Sequence, residues 1–200
     1  MEKIIHTVGN KVDIPKDDDV AKHTVDNQII FVGKMSYEPN VVAVTYFANF
    51  VFPKLKEIIP DLRFTIIGAN PDNRVYKLGE ISGVVVTGFV DSVEPYFQNS
   101  TIVVAPMLTG AGIQNKIIQA MSYGCCVATT SIGAEGLSIE NNEIAIFGNE
   151  QDWIEGLSIM LKNRNLRREM GVKARNYVIE HLSNDVIAKQ FWNFINSVKI

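Results

Sequence analysis

Six short apolar runs, rich in β-branched residues and separated by helical patterns, restrict this 200-residue chain to few folds. They are Ile29-Ile30-Phe31-Val32-Gly33, Arg63-Phe64-Thr65-Ile66-Ile67-Gly68, Gly83-Val84-Val85-Val86-Thr87-Gly88, Thr101-Ile102-Val103-Val104-Ala105-Pro106, Cys126-Val127-Ala128-Thr129-Thr130 and Ile144-Ala145-Ile146-Phe147-Gly148. Continuous apolar runs of this kind read as strands buried on both faces. Helical patterns lie between and after them, at residues 41–59 with Pro53 kinking or splitting the helix, 92–99, 113–123, 153–162, 166–180 and 185–198. Gly124 closes the third, and Ser183 or Asn184 caps the last. Strands alternating with helices predict an α/β fold: a Rossmann-like, doubly wound parallel sheet of about six strands with helices on both faces.

Residues 1–27 are polar and irregular and read as a linker-like segment; Lys16-Asp17-Asp18-Asp19 is its solvated charge run. The domain proper is expected at 28–200. At 46% hydrophobic, the composition is ample for a buried core. Nineteen basic against twenty-two acidic residues leave a net charge of −3, which argues against a nucleic-acid partner. No apolar run reaches membrane-span length, and the start lacks the apolar stretch of a signal peptide, so the reading is a cytoplasmic chain. The only cysteines, Cys125 and Cys126, are adjacent; they suit neither a zinc site nor a disulfide framework, and read as packing residues. His6, His23 and His181 are scattered, so no metal site is expected.

In a doubly wound sheet, ligands bind at the carboxyl ends of the strands. Those ends carry Gly33-Lys34, Gly68-Ala69-Asn70, Gly88-Phe89 and Pro106 onward. Glycine there permits a turn, and it also lets a ligand approach the backbone. Residues 110–121, GAGIQNKIIQAM, pass from a glycine loop into a helix. The free N–H groups and partial positive charge of a helix start suit a phosphate, and Lys116 can add a full charge.

The surrounding motifs resemble the retaining glycosyltransferases of the GT-B fold, the large group 1 or family 4-like set. The resemblance lies in Val104-Ala105-Pro106-Met107, then GAGIQNK, QAMSYG and CVATTSIGAEGL. Upstream it continues in Phe31-Val32-Gly33-Lys34-Met35 with Tyr37 and Pro39-Asn40, in Pro53-Lys54-Leu55, Pro60-Asp61-Leu62, Ile66-Ile67-Gly68-Ala69 and Thr87-Gly88-Phe89-Val90. Asn10-Lys11-Val12-Asp13 is similar to the segment that ends the family's interdomain linker. The resemblance implies the C-terminal, donor-binding half of a two-domain enzyme, with the acceptor-binding N-terminal domain outside this chain and the active site in the cleft between the two. It implies a UDP- or GDP-sugar as co-substrate, no separate cofactor, and retaining transfer of a hexose to a glycan or lipid-linked acceptor, as in polysaccharide biosynthesis. Peripheral membrane association of the full-length enzyme would fit. Lys34 falls at the family's basic position on the diphosphate, alongside Gly33, and Lys116 on the loop–helix facing the same group. Gly88, Phe89 and Val90 match the turn that meets the base. Gly110, Ala111, Gly112 and Ile113 match the loop beside the donor sugar.

Two positions depart from the family pattern. Its paired glutamates, separated by seven residues, are here Ala111 and Gln119. A small residue at the first position occurs in a subgroup. At the second, the family's carboxylate accepts from the ribose hydroxyls; the Gln119 amide oxygen still accepts, without charge assistance. This departure keeps open a non-catalytic nucleotide-sugar-binding module, and the shared fold keeps open a sugar-nucleotide epimerase. Glu135 lies in a different motif and is assigned no catalytic part. Asp91 reads as a helix cap, and Trp153, Phe191, Trp192 and Phe194 as core or interdomain packing.

Overall fold

The computed structural model describes residues 10–22 and 25–198. Its sheet has six strands: β1 (Gln28–Val32), β2 (Arg63–Ile67), β3 (Val84–Gly88), β4 (Ile102–Ala105), β5 (Val127–Thr129) and β6 (Ala145–Ile146). All adjacent pairs are parallel, in the order β3-β2-β1-β4-β5-β6. The expected α/β doubly wound fold is therefore observed, and each strand falls within its apolar run, apart from Gln28, which precedes the first. The chain starts at the middle of the sheet, builds to one edge through β3, then crosses back to place β4 beside β1. Strand order reverses between β1 and β4, so the loops that follow them part and leave a crevice.

The helices are α1 (Glu38–Tyr46), α2 (Phe52–Ile58), α3 (Asn73–Leu78), α4 (Glu94–Gln98), α5 (Asn115–Ser122), α6 (Glu150–Lys162), α7 (Arg164–Leu182) and α8 (Asn184–Val198). Residues 41–59 form no simple kinked helix. Between α1 and α2, Phe47–Val51 makes a π turn in which the Phe52 N–H bonds to the Phe47 carbonyl, five residues back. Pro53 then sits in the first turn of α2, where its missing N–H is no loss. The wide turn keeps Phe47, Ala48, Val51 and Phe52 on the buried side. There Phe47 packs on Phe64 at 4.8 Å between ring centroids and on Trp153 at 5.8 Å. Burying each such ring stabilises the fold by about 2–3 kcal/mol.

Local details depart from the pattern read in the sequence. Asp91 caps nothing: α4 begins at Glu94, and the Ser92 hydroxyl accepts from the Glu94 N–H at 3.1 Å. Of the aromatics read as core or interdomain packing, Trp153 is buried in the core, whereas Phe191 and Trp192, 48% and 60% exposed on α8, lie outside it. The short α3 has no counterpart among the expected helices. It forms because the Asp72 side chain accepts from the Arg74 and Val75 N–H groups, while Val75 and Leu78 turn to the core.

The described part of the segment before β1 is tied to the domain. Val12 N–H bonds to the Leu182 carbonyl at 3.1 Å, and Ala21 N–H to the Tyr123 carbonyl at 2.7 Å. Arg175 donates to the Pro15 carbonyl and to Asp17, which lies in a 3₁₀ turn spanning Asp17–Asp19. Buried Arg167 donates to the Met160 and Leu161 carbonyls at the end of α6 and to Asp26. Cys125 and Cys126 are buried and unpaired, and burial pushes each thiol up to about 12. His6 and His23 lie outside the described residues.

Candidate functional site

Lys116 stands in the second position of α5, and its ammonium turns toward the crevice beside β1. It donates to Asn40 Oδ1 at 2.7 Å and to Gln114 Oε1 at 3.2 Å, lies 3.7 Å from Met107 Sδ, and sits 5.2 Å from the Phe31 ring centroid. Phe31 belongs to β1, and Met107 follows β4. The lysine therefore bridges the two strands between which the sheet order reverses. Every one of these neighbours is uncharged. With no carboxylate to compensate, burial pushes the ammonium down to about 8. A cation held by neutral groups at a helix start keeps its charge for an incoming anion.

Asn40 joins this lysine to the Lys34 turn. Its Nδ2 donates to the Lys34 carbonyl at 2.9 Å, and the Tyr37 N–H reaches the same carbonyl at 3.2 Å. The Lys34 side chain is exposed and makes no hydrogen bond or ion pair among the described residues. Neighbouring strand ends are knitted in sequence: Gly33 N–H to the Ile67 carbonyl at 3.0 Å, Met35 N–H to the Ala69 carbonyl at 2.8 Å, and Gly68 N–H to the Gly88 carbonyl at 3.1 Å. Gly88 has φ +71, which turns the chain after β3 and leaves Phe89 72% exposed and Val90 half-buried.

The loop 110–113 follows β4 at the same end of the sheet. Gly110 and Gly112 have φ +127 and +73, conformations that favour glycine. Ala111 is exposed, and Ile113 packs against the core. Glu135 fixes this loop: its Oε2 accepts from the Gly112 N–H at 3.0 Å. The 129–136 segment is itself anchored to the end of β4, since the Thr129 hydroxyl donates to the Ala105 carbonyl at 2.7 Å and that of Thr130 to the Met107 carbonyl at 2.6 Å.

Lys34, Lys116, Gly33 and residues 110–113 thus lie around one crevice at the carboxyl ends of β1 and β4, with 88–90 beyond them at the end of β3. Gln119 stands further along α5. It lines a groove of about 470 Å³ with Asn115, Glu94 and residues 10–13, where Asn10 Nδ2 donates to Asn115 Oδ1 at 3.1 Å. Lys116 and Gln119, three residues apart, face different surroundings. A further cavity of about 590 Å³, with Lys22, Arg164, Arg168 and Arg175 on its wall, opens beside Gly124 before β5. That is the amino end of the sheet, away from every candidate residue. Sequence reasoning assigned no role to Asn40 and none to Glu135. Pro39-Asn40 was visible as a motif, but the Asn40–Lys116 contact spans 76 positions and leaves no local signal. Among the described residues no cluster of ligating side chains is arranged for a metal, and no helix is long and apolar enough to cross a membrane.

A parallel sheet with this strand order, glycine turns at its carboxyl ends and a lysine-bearing helix start at the reversal point defines a Rossmann-like ligand-binding domain. The chain belongs to the glycosyl transferases group 1 family, whose model matches residues 26–163. A curated relative from Klebsiella pneumoniae, described as an uncharacterized 44.6 kDa protein in cps region, is 25% identical over 131 residues, 62% of this chain and 34% of that protein. A variant of TarM from S. aureus, solved with fondaparinux, α-GlcNAc-glycerol and UDP, superimposes with a TM-score of 0.80 at 20% identity, covering 98% of this chain and 40% of that one. The C-terminal domain of the group 1 protein LpcC from Francisella tularensis superimposes with a TM-score of 0.63 at 17% identity, covering 88% of this chain and 97% of that one. The chain spans about a third of the Klebsiella relative and matches the C-terminal domain of a GT-B fold.

Proposed function

We propose that this domain binds the nucleotide sugar of a glycosyltransferase, with a UDP- or GDP-linked hexose as donor and a glycan or lipid-linked acceptor completing a retaining transfer. Family membership and the shared fold support the reaction class. The observation that carries the site is the Lys116 ammonium, held by neutral groups at the β1/β4 crevice. On this reading Lys116 and Lys34 flank the diphosphate, residues 88–90 meet the base through the exposed turn, and residues 110–113 lie beside the sugar. As the glycosidic bond to the diphosphate breaks, negative charge grows on the leaving group. Two lysines and the free N–H groups at the start of α5 stabilise that charge.

Calorimetric titration of the chain with UDP, GDP and ADP, and with the matching monophosphates and nucleosides, tests this reading. The diphosphates should bind most tightly, and replacing Lys34 with methionine should weaken them by about 1–3 kcal/mol while leaving the nucleoside unchanged. Equal losses for nucleoside and diphosphate would point to damaged folding. Sugar transfer by the longer protein, followed as nucleotide release that depends on acceptor, separates a transferase from a binding module or an epimerase.

Gln119 gives a second expectation. Placed near the ribose, a carboxylate there accepts from two hydroxyls with charge assistance, so Gln119→Glu should tighten ribonucleotide binding by roughly 1 kcal/mol. Glu94 lines the same groove and limits the gain. Titrations with a ribonucleotide and its 2′-deoxy form report it; no increase in the ribose preference would remove Gln119 from the donor site.

A further inference from the structure

We infer that Asn40 is a positioning residue of the diphosphate site: it fastens the turn that carries Lys34 to the ammonium of Lys116 and, being uncharged, leaves the Lys116 charge to the ligand. The inference rests on the site reading above and adds to it a residue that touches no reacting atom.

The geometry fixes which way the amide faces. The Lys34 carbonyl can only accept, and an ammonium can only donate, so Nδ2 must meet the first and Oδ1 the second. Asparagine presents a separate donor and acceptor on one short planar amide. An aspartate in its place keeps the contact to Lys116 but opposes the Lys34 carbonyl with a negative oxygen. An aliphatic side chain takes one hydrogen bond from each partner in a site where Asn40 is only 4% exposed. The surrounding sequence is shaped to admit this amide. A Cβ at Gly33 would lie 2.7 Å from Asn40 Nδ2, so glycine is needed there for space, at a backbone conformation that any residue could adopt. The Asn40 N–H in turn bonds to the Tyr37 carbonyl at 2.9 Å, closing the turn that runs from Lys34 into α1. Three motifs, Gly33-Lys34, Pro39-Asn40 and Lys116, are therefore one constellation.

Lys116 meets Asn40 on α1, Phe31 on β1, Met107 after β4 and Gln114 at the start of α5, and none of these titrates. No charged group contributes to the displacement of its titration, which follows burial alone. A carboxylate at position 40 would be an internal counter-ion, 2.7 Å from the ammonium in the present geometry, and would compete with any anion for it.

The test follows Lys116 itself and the ligand in parallel. The Lys116 side chain is titrated by NMR in the free chain, and UDP affinity is measured from pH 6 to pH 10, for the wild type, Asn40→Asp and Asn40→Ala. The wild-type midpoint should lie near 8. Asn40→Asp should raise it by about one unit or more, weaken UDP at pH 7 by roughly tenfold, and move the alkaline loss of affinity upward with it. Asn40→Ala should lower the midpoint, because the charged form loses an acceptor, and this variant serves if the aspartate form does not fold. A residue that merely supports the fold would change thermal stability and leave the Lys116 midpoint in place; that result in either variant overturns the inference. A wild-type chain that binds no nucleoside diphosphate overturns the site reading instead, and the Lys116 titrations show which of the two has failed.

Discussion

Replacing Lys116 with methionine should lower the affinity for a nucleoside diphosphate by about 1.5–3 kcal/mol, roughly tenfold to a hundredfold. Methionine keeps the length and apolar stem of lysine, so Phe31 and Met107 stay covered while the charge is lost. The wild type should carry a matching pH dependence. Lys116 titrates near 8 when free, and an adjacent diphosphate favours the charged form, so binding takes up a proton above that pH. Affinity should then be level below about pH 8 and fall by up to about tenfold per unit above it. Stability follows the opposite sign. The folded group releases its proton near 8 and the unfolded one near 10.5, so between those values the unfolded chain binds more protons and the unliganded fold gains stability as pH rises. A loss of affinity across this window therefore cannot be ascribed to unfolding by this group. Calorimetry in two buffers of different ionisation enthalpy measures the uptake. A pH-independent affinity, or an unaltered one in Lys116→Met, would remove Lys116 from the site.

Gly68→Ala should be the most damaging single methyl in the crevice. Gly68 has φ +152, and a Cβ built there falls on the carbonyl oxygen of Gly33. The obstacle is backbone, so no rotamer change can make room. The β1 turn must move, which strains the Gly33–Ile67 and Gly68–Gly88 hydrogen bonds and displaces Lys34. The expected loss is on the order of 3 kcal/mol, enough to lower Tm by roughly 10 °C in a domain of this size. Gly88→Ala is the control. It shares the positive φ, but a Cβ there meets nothing within 4 Å, so it should lose only about 1 kcal/mol. Thermal unfolding of the two variants compares steric contact with backbone strain alone; equal losses would contradict the close approach of β1 and β2.

The strands were legible as continuous apolar runs: β1, β2, β4 and β5 are buried almost throughout, and the edge strands β3 and β6 keep the run although Val85 and Ile146 are exposed. That ligands bind at the carboxyl ends of the strands followed from the alternation of strands and helices; the strand order, and with it the reversal between β1 and β4, did not. What stayed hidden depends on contacts distant in sequence or on short local geometry. Helix α3 has six residues and two core contacts, too few to register as a period, although Asp72 is a recognisable cap. The π turn at Phe47–Val51 satisfies Pro53 and the aromatic core together, and no local rule separates it from a kink. Asn40 read as part of a motif without a partner, and Glu135 as a residue of a different motif with no catalytic part, because their partners lie 76 and 23 positions away. Phe191 and Trp192 were placed by hydrophobicity alone, and α8 leaves both exposed.

On the proposed reading, the anionic ligand of this domain binds between β1 and β4. Amide NMR of the chain titrated with UDP tests it directly. The largest shifts are expected at Gly33, Lys34, Gly88, Phe89, residues 110–113 and Lys116, with saturation that Lys116→Met weakens. Shifts gathered instead around Lys22, Arg164, Arg168 and Arg175, at the opposite end of the sheet, would contradict it.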